Sequence, residues 1–433
     1  MDGFRKDLKV FAISAIGGSL EFYDFIIYVF FAHIIGTLFF DANSQITALL
    51  ISFTVYASGY LARFFGGIVF SHYGDQKGRK NSFAVTILLM AIPTFIIGIL
   101  PTYATAGYYA SASLILCRIL QGLAVGGELP CSITFVFEHA QEKYKGLACG
   151  LLFFGVISGI FLGSGLSAII THNLTQEELY SWGWRIPFVL GGLLGVVGIY
   201  LRRKLHETPL FIKMKQESTS NSIPLQELAQ SFKLKIIQTT LSSLVCAVGI
   251  AIMFLYLPTY LNLFYGFESE KLLLLNTIFV VFFAGLIIPS ALVCDKVGDA
   301  KVFVVSSLVL GLISIPAFYL IEENNLISLI TCYLLILPIL AFVNASCITI
   351  LARAFPTSIR YSGVSLSYNL AFGVIGGFTP LICTKLILVT GLNFTPALYM
   401  AVIALSGCLA IHLKTYSFKQ VSKCFTNQYK VTR

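Results

Sequence analysis

The sequence predicts an all-α integral membrane protein whose twelve transmembrane helices form two pseudo-symmetric six-helix bundles. Three observations carry that expectation. Of 433 residues, 57% are hydrophobic and 11% charged, whereas soluble domains carry about 25% charge. Twelve apolar runs, approximately at 10–38, 47–73, 81–101, 108–138, 146–171, 184–203, 235–263, 271–293, 302–321, 327–353, 364–390 and 395–416, are each long enough to cross a bilayer. Basic residues gather between alternate runs, as they do in short cytoplasmic loops. A β-barrel would show short alternating segments instead.

The charge pattern sets the topology. Arg5, Lys6 and Lys9 precede the first run, Lys77, Arg79 and Lys80 follow the second, and Lys143 and Lys145 follow the fourth. The polar stretch from Arg202 to Lys235, then Lys296, Lys301, Arg353, Arg360 and the tail from Lys414 fall on the same side. Both termini are therefore expected in the cytoplasm. The formal charge of +9 is a topology signal and not a nucleic-acid footprint, because no basic stripe with interleaved aromatics lies outside the membrane flanks. The domain reading is 1–203 for the first half, 204–234 for a cytoplasmic linker, 235–416 for the second half and 417–433 for a short cytoplasmic tail. That tail lacks heptads, so osmotic control through a coiled coil is not expected.

In the first run Glu21 and Asp24 are three apart, hence on one helix face, and lie well inside the membrane. The run is too long and too acidic for a cleaved leader. Buried acids of this kind build proton relays in carriers, although a static charge cluster that only fixes packing has the same pattern. The fourth run holds Arg118, about ten residues past its start and so ~15 Å deep, half a bilayer core. A guanidinium there must face a water-filled cavity, a carboxylate or a substrate. Gly122, Gly126 and Gly127 give that helix a smooth face for close packing. Glu128 lies ~15 Å nearer the cytoplasm and about 80° around the helix, which leaves open a pairing with Arg63, a second proton site or a solvated acid. The fifth run has Gly150, Gly155, Gly159, Gly163 and Gly165, whose spacings of four are expected to give a further packing seam.

Several motifs narrow the reading. The loop G-D-Q-K-G-R-K, Gly74 to Lys80, resembles the loop between helices 2 and 3 of the major facilitator superfamily, with Gly78 permitting a tight turn and Asp75 able to cap a helix. Arg63 with its glycines, R-I-L-Q-G-L-A-V-G-G-E from Arg118, E-H-A from Glu138, W-G-W-R-I-P-F-V-L-G from Trp182, H-E-T-P-L-F from His206 and the segment from Phe355 to Asn369 resemble the metabolite:proton symporter branch of that superfamily. Gln76 and Ser71 depart mildly from the pattern, and Ala354 stands where an acid is usual. In the second half D-K-V-G-D-A-K from Asp295 repeats the Asp75 loop at an offset of 220 residues, with Asp299 in place of the basic residue, so the second latch is expected to be weak or missing. The fifth run contains no proline, which disfavours the antiporter branch with its G-P pair.

The resemblance implies proton-coupled uptake of a small organic solute by alternating access, with substrates such as α-ketoglutarate, citrate, shikimate, proline or betaine. Asp24, Glu21 and Glu128 are the proton-coupling candidates. Arg118, Tyr28 and Gln121, with Tyr256, Asn344 and Asn369 in the second half, are the substrate candidates. Arg63, Asp75, Gly78, Arg79, Lys80, Glu138 and Asp295 are the gating candidates. Aromatic residues beside Asp24 suit an ammonium group through cation–π attraction. A facilitator without proton coupling and a transporter-like receptor remain as rival readings. No enzyme is expected, since nucleophile elbows, P-loops and H-E-x-x-H are absent. No cofactor or metal is expected beyond the proton gradient, and the ten scattered cysteines read as small apolar residues. The expected partners are the solute, protons and the lipid bilayer of a bacterial inner membrane, around a monomer, with no nucleic acid.

Overall fold

The computed structural model of the protein describes residues 2–41, 45–203, 206–217 and 224–428. Its long helices are α1 (Asp2–Phe30), α2 (Gln45–Lys77), α3 (Arg79–Ile99), α4 (Tyr108–His139), α5 (Lys145–Asn173) and α6 (Arg185–Arg203) in the first half. In the second half they are α7 (Lys233–Asn262), α8 (Ser269–Val297), α9 (Asp299–Tyr319), α10 (Leu326–Arg353), α11 (Arg360–Thr390) and α12 (Thr395–Gln428). All of them except α2 contain a stretch long and apolar enough to cross a membrane. At 33 residues, α2 runs alongside α4 and so traverses the same thickness.

The two halves repeat one packing scheme. In the first, α1 pairs with α5, α2 with α4 and α3 with α6; in the second, α7 pairs with α11, α8 with α10 and α9 with α12. The halves meet where α2 packs on α11 and α5 on α8. These contacts need small residues. A Cβ at Gly122 would fall on the Gly59 backbone, and one at Gly126 on the Arg63 carbonyl. On α5, Gly155 and Gly159 meet the carbonyls of Ala15 and Ser19 in the same way, which is the close approach the glycine spacing predicts. The outer face is apolar, with Leu61, Phe65 and Val69 of α2 and Leu193 and Val196 of α6 exposed, as contact with lipid acyl chains requires.

The structure corrects several boundaries. The first apolar run does not continue as one helix to residue 38. It breaks at Phe31, and a short helix, Ala32–Phe39, follows. The polar stretch between α6 and α7 contains the helices Pro209–Glu217 and Pro224–Ser231. Two long helices lose regular geometry in mid-course: α7 widens to a π-helical stretch at Ala251–Tyr256, and α11 does so at Leu370–Ile375, followed by a tighter turn at Gly376–Phe378. Such departures concentrate at functional positions.

The α2–α4 seam gives a direct test. Gly122→Leu forces a side chain into the Gly59 backbone and is expected to destabilise the fold by about 1–3 kcal/mol, read as a lower melting temperature in detergent. Gly165→Leu, where an added Cβ meets nothing within 4 Å, is expected to leave it unchanged. Equal melting of both variants contradicts the seam.

Candidate functional site

Three acids come together inside the first half. Glu21 and Asp24 of α1 and Glu128 of α4 are buried, and all three line one small void of about 10 Å³, room for about one water. Glu128, which the sequence left between Arg63 and a second proton site, therefore sits with the acids of α1. Asp24 is accommodated by α6. A Cβ at Gly191 would overlap Asp24 Oδ1, and that oxygen has no hydrogen-bond partner among the described residues.

Arg118 is fully buried and reaches these acids through two other side chains. Its Nη1 donates to Gln121 Oε1 at 2.7 Å, and Gln121 Nε2 donates to Thr94 Oγ1 at 2.7 Å. The Thr94 hydroxyl donates to the Met90 carbonyl at 2.8 Å, and Thr94 and Asp24 both border Gly191. The guanidinium faces are covered by rings, with Cζ 4.3 Å from the Tyr28 centroid, 5.0 Å from Phe25 and 5.2 Å from Tyr56. Tyr28 is fixed in turn by Ser52, whose carbonyl accepts its hydroxyl at 3.2 Å. Thus the aromatic residues near Asp24 hold the protein's own guanidinium.

The cavity between the halves lies on the other side of those rings. It measures about 120 Å³ and is lined by Phe22, Phe25, Tyr56, Tyr60, Tyr368 and Phe372, with aliphatic residues of α5 and α7. Its charged lining residue is Arg63. Arg63 Nε donates to Asn369 Oδ1 at 2.8 Å, its Cζ sits 5.2 Å over the Tyr368 ring, and its Nη2 has no partner among the described residues. Asn369 also donates to the Gly126 carbonyl at 2.9 Å, so it ties α11 to both α2 and α4. Both irregular stretches contribute to this lining, Ala251 and Leu255 from α7 and Phe372 and Gly376 from α11. Phe25 and Tyr56 form the wall between Arg118 and the cavity.

The basic end of the bundle is closed by two related clusters. Asp75, at the end of α2, caps α11 by accepting from the Tyr361 and Ser362 amides at 3.3 and 2.8 Å. Arg79 Nη2 contacts Asp75 Oδ1 at 3.1 Å, Glu138 Oε1 at 3.3 Å and the Thr357 carbonyl at 2.5 Å, and Arg360 Nη1 donates to Glu138 Oε1 at 2.7 Å. Gly78 has φ of 108°, and its missing Cβ leaves space for Glu207, which accepts from the Lys80 amide at 3.2 Å. The second copy is also formed. Asp295 caps α5 through the Gly146 and Leu147 amides at 2.6 and 2.8 Å. Asp299 accepts from Arg353 Nε at 3.3 Å, and Arg353 also pairs with Glu142. In this copy the charges are exchanged, with Asp299 in the place of Arg79 and Arg353 supplying the cation.

The remaining candidates lie apart from these centres. Tyr256 accepts from Thr384 Oγ1 at 3.3 Å and stacks on Tyr260. Asn344 is buried in α10 with neither amide atom hydrogen-bonded among the described residues. No cluster of three or more metal-ligating side chains occurs among the described residues, and the nine described cysteines are buried and free. Thr94 and Gly191 were missed by sequence reasoning, since neither residue type signals a partner on another helix.

Comparison with known proteins gives one consistent picture. The pattern of the Major Facilitator Superfamily matches residues 13–380. The chain is 33% identical to a putative proline/betaine transporter of Staphylococcus aureus, over 95% of this chain and 89% of that protein. It is 34% identical to the proline/betaine transporter of Salmonella typhimurium, over 93% of this chain and 82% of that protein. Among solved structures it resembles the proton:xylose symporter XylE bound to 6-bromo-6-deoxy-D-glucose, with a TM-score of 0.79 at 17% identity, covering 93% of this chain and 94% of that one. The human organic anion transporter MFSD10 shares the fold with a TM-score of 0.68 at 14% identity, over 94% and 99% of the two chains.

The helix caps at the basic end can be read by hydrogen exchange. Asp75→Ala removes the acceptor of Tyr361 and Ser362, and losing a cap costs about 0.5–2 kcal/mol, so exchange over 359–365 is expected to rise roughly 3- to 30-fold. Asp295→Ala is expected to do the same at Gly146 and Leu147. Unchanged exchange in both variants contradicts the capping roles.

Proposed function

The chain belongs to the major facilitator superfamily, and we propose that it is a proton-coupled symporter of the metabolite:proton branch, taking up a small carboxylate or zwitterion of the proline/betaine kind. The observation that supports this reading most is the chain of contacts from the central cavity to the buried acids. A solute in the cavity meets one face of Phe25 and Tyr56, and Arg118 holds the other. From Arg118 the hydrogen bonds run through Gln121 to Thr94, which borders Gly191 together with Asp24.

The mechanism follows from charge. Three acids around one water-sized void repel one another when ionised, which favours a proton shared among Asp24, Glu21 and Glu128. Thr94 donates to the Met90 carbonyl, accepts from Gln121 and borders Gly191 together with Asp24, so the charge on Asp24 acts on it at short range. Loss of that proton puts a new charge next to Thr94 and pulls on Gln121 and Arg118. Movement of Arg118 displaces the aromatic wall of the solute cavity, and displacement of the wall acts back on the acid. Such reciprocity is what couples two bound species. Alternating access would rock the two halves about the central cavity, with the Asp75–Arg79–Glu138–Arg360 cluster as a cytoplasmic latch and the Asp295–Asp299–Arg353 cluster as its second copy. In this reading both termini face the cytoplasm of a bacterial cell, the unit is a monomer, and the proton gradient is the only energy source.

Uptake into proteoliposomes tests the proposal. The wild-type protein is expected to accumulate labelled proline or betaine under an inward proton gradient, and Asp24→Asn is expected to equilibrate the solute without accumulating it. Accumulation that persists undiminished in Asp24→Asn contradicts the assignment of the coupling proton. Equilibration alone in the wild type favours a facilitator without proton coupling.

A further inference from the structure

We propose that the central cavity holds its solute as a zwitterion, with the carboxylate on Arg63 and an N-methylated or ring ammonium against the aromatic faces, so that affinity rises with each methyl group on the nitrogen. This rests on the transport reading above and assigns the binding contacts within it. Arg63 is 3% exposed, its Nε is committed to Asn369, and its Nη2 has no acceptor among the described residues. A buried guanidinium donor without an acceptor is costly, and a carboxylate entering the cavity satisfies it with a charge-assisted hydrogen bond. Arg118 also has nitrogens without acceptors, Nε and Nη2. Its faces, however, are covered by Phe25, Tyr28 and Tyr56, and two of these rings stand between it and the cavity. Arg63 is therefore the carboxylate anchor and Arg118 acts one layer behind.

The rest of the lining selects the other end of the solute. Among the described lining residues there is no carboxylate, and the polar groups beside Arg63 are tyrosines. A primary ammonium brings three N–H donors that need acceptors, whereas a quaternary ammonium brings none and is stabilised by ring faces. Phe22, Phe25, Tyr56, Tyr60, Tyr368 and Phe372 supply those faces. A volume of about 120 Å³ is well below the roughly 300–1,000 Å³ of drug-sized pockets. It suits a solute of a few heavy atoms, and a second carboxylate would find no second cation in the lining.

A methylation series decides the matter: equilibrium binding of glycine, sarcosine, N,N-dimethylglycine and glycine betaine to the purified full-length protein. Wild type, Arg63→Gln, Arg63→Lys and Arg118→Gln are compared, each checked for a monodisperse fold. In the wild type, affinity is expected to climb along the series, betaine exceeding glycine by roughly 30-fold. Arg63→Gln is expected to weaken every member by roughly 10- to 100-fold while keeping the ratios between them. Arg63→Lys keeps the charge without the fork and is expected to fall between. Arg118→Gln, which loosens the aromatic wall without removing the carboxylate anchor, is expected to weaken binding less than Arg63→Gln does and to flatten the climb along the series. A flat or falling series in the wild type overturns the aromatic assignment. Binding unchanged in both Arg63 variants, or lost only in Arg118→Gln, overturns the anchor. If Arg63→Gln does not fold, the wild-type series and Arg63→Lys still decide. The expected series without gradient-driven accumulation supports the site while removing proton coupling. No binding of any member removes the site, and accumulation of a different solute would leave the transport reading standing.

Discussion

The interaction on which the rest depends is the burial of Arg118 with Gln121 and three aromatic rings around it. A guanidinium taken out of water without a full ion pair costs several kcal/mol. Here one charge-assisted hydrogen bond and cation–π contacts offset part of that cost. The arrangement constrains everything around it. Tyr28, Phe25 and Tyr56 are held in place by the cation they cover, Gln121 is oriented with its amide nitrogen toward Thr94, and the α2–α4 seam at Gly59 and Gly122 keeps the cation between its partners. A charge that is only partly compensated is also easily shifted by a change nearby, which suits a coupling element better than a closed salt bridge would.

The halves are joined by contacts of two kinds. At the basic end each copy has a capping aspartate, Asp75 or Asp295, while the ion pair beside it is buried in the first copy and partly exposed, with its charges exchanged, in the second. In mid-course the joint is lighter: Asn369 bridges Arg63 and Gly126, and the facing helices α7 and α11 are irregular. Irregular backbone beside a cavity can change its hydrogen bonding at low cost, whereas the capped ends resist. A solute entering the middle can thus alter the joint without unfolding either bundle, which is what the proposed alternating access asks of the structure.

Much of the fold was legible because hydrophobic length and basic loops leave few alternatives for a chain of this composition. The capping role of Asp75 followed from its place in a tight loop. What could not be read were contacts between helices distant in sequence. Glu128 joins Glu21 and Asp24 because α4 packs beside α1, and nothing in the spacing of a single helix fixes that. Thr94 and Gly191 look like ordinary small residues until α3 and α6 bring them to Gln121 and Asp24. The interruption at Ala251–Tyr256 falls in an apolar stretch without glycine or proline, so periodicity does not mark it, whereas the one at Leu370–Phe378 carries Gly373, Gly376 and Gly377. The sequence directed attention to Arg118 as the substrate cation, yet the cavity opens on Arg63, whose neighbours Tyr368 and Asn369 come from the other half.

The central claim is that occupation of the cavity is felt by Asp24 through the aromatic wall, Arg118, Gln121 and Thr94. Infrared difference spectroscopy of the carboxyl C=O stretch, recorded as betaine is added to the purified protein at fixed pH, tests it directly. The account predicts a carboxyl band that shifts or changes intensity on binding, is absent in Asp24→Asn, and is reduced in Gln121→Leu although betaine still binds. Saturating betaine that leaves the carboxyl region unchanged in the wild type would contradict it.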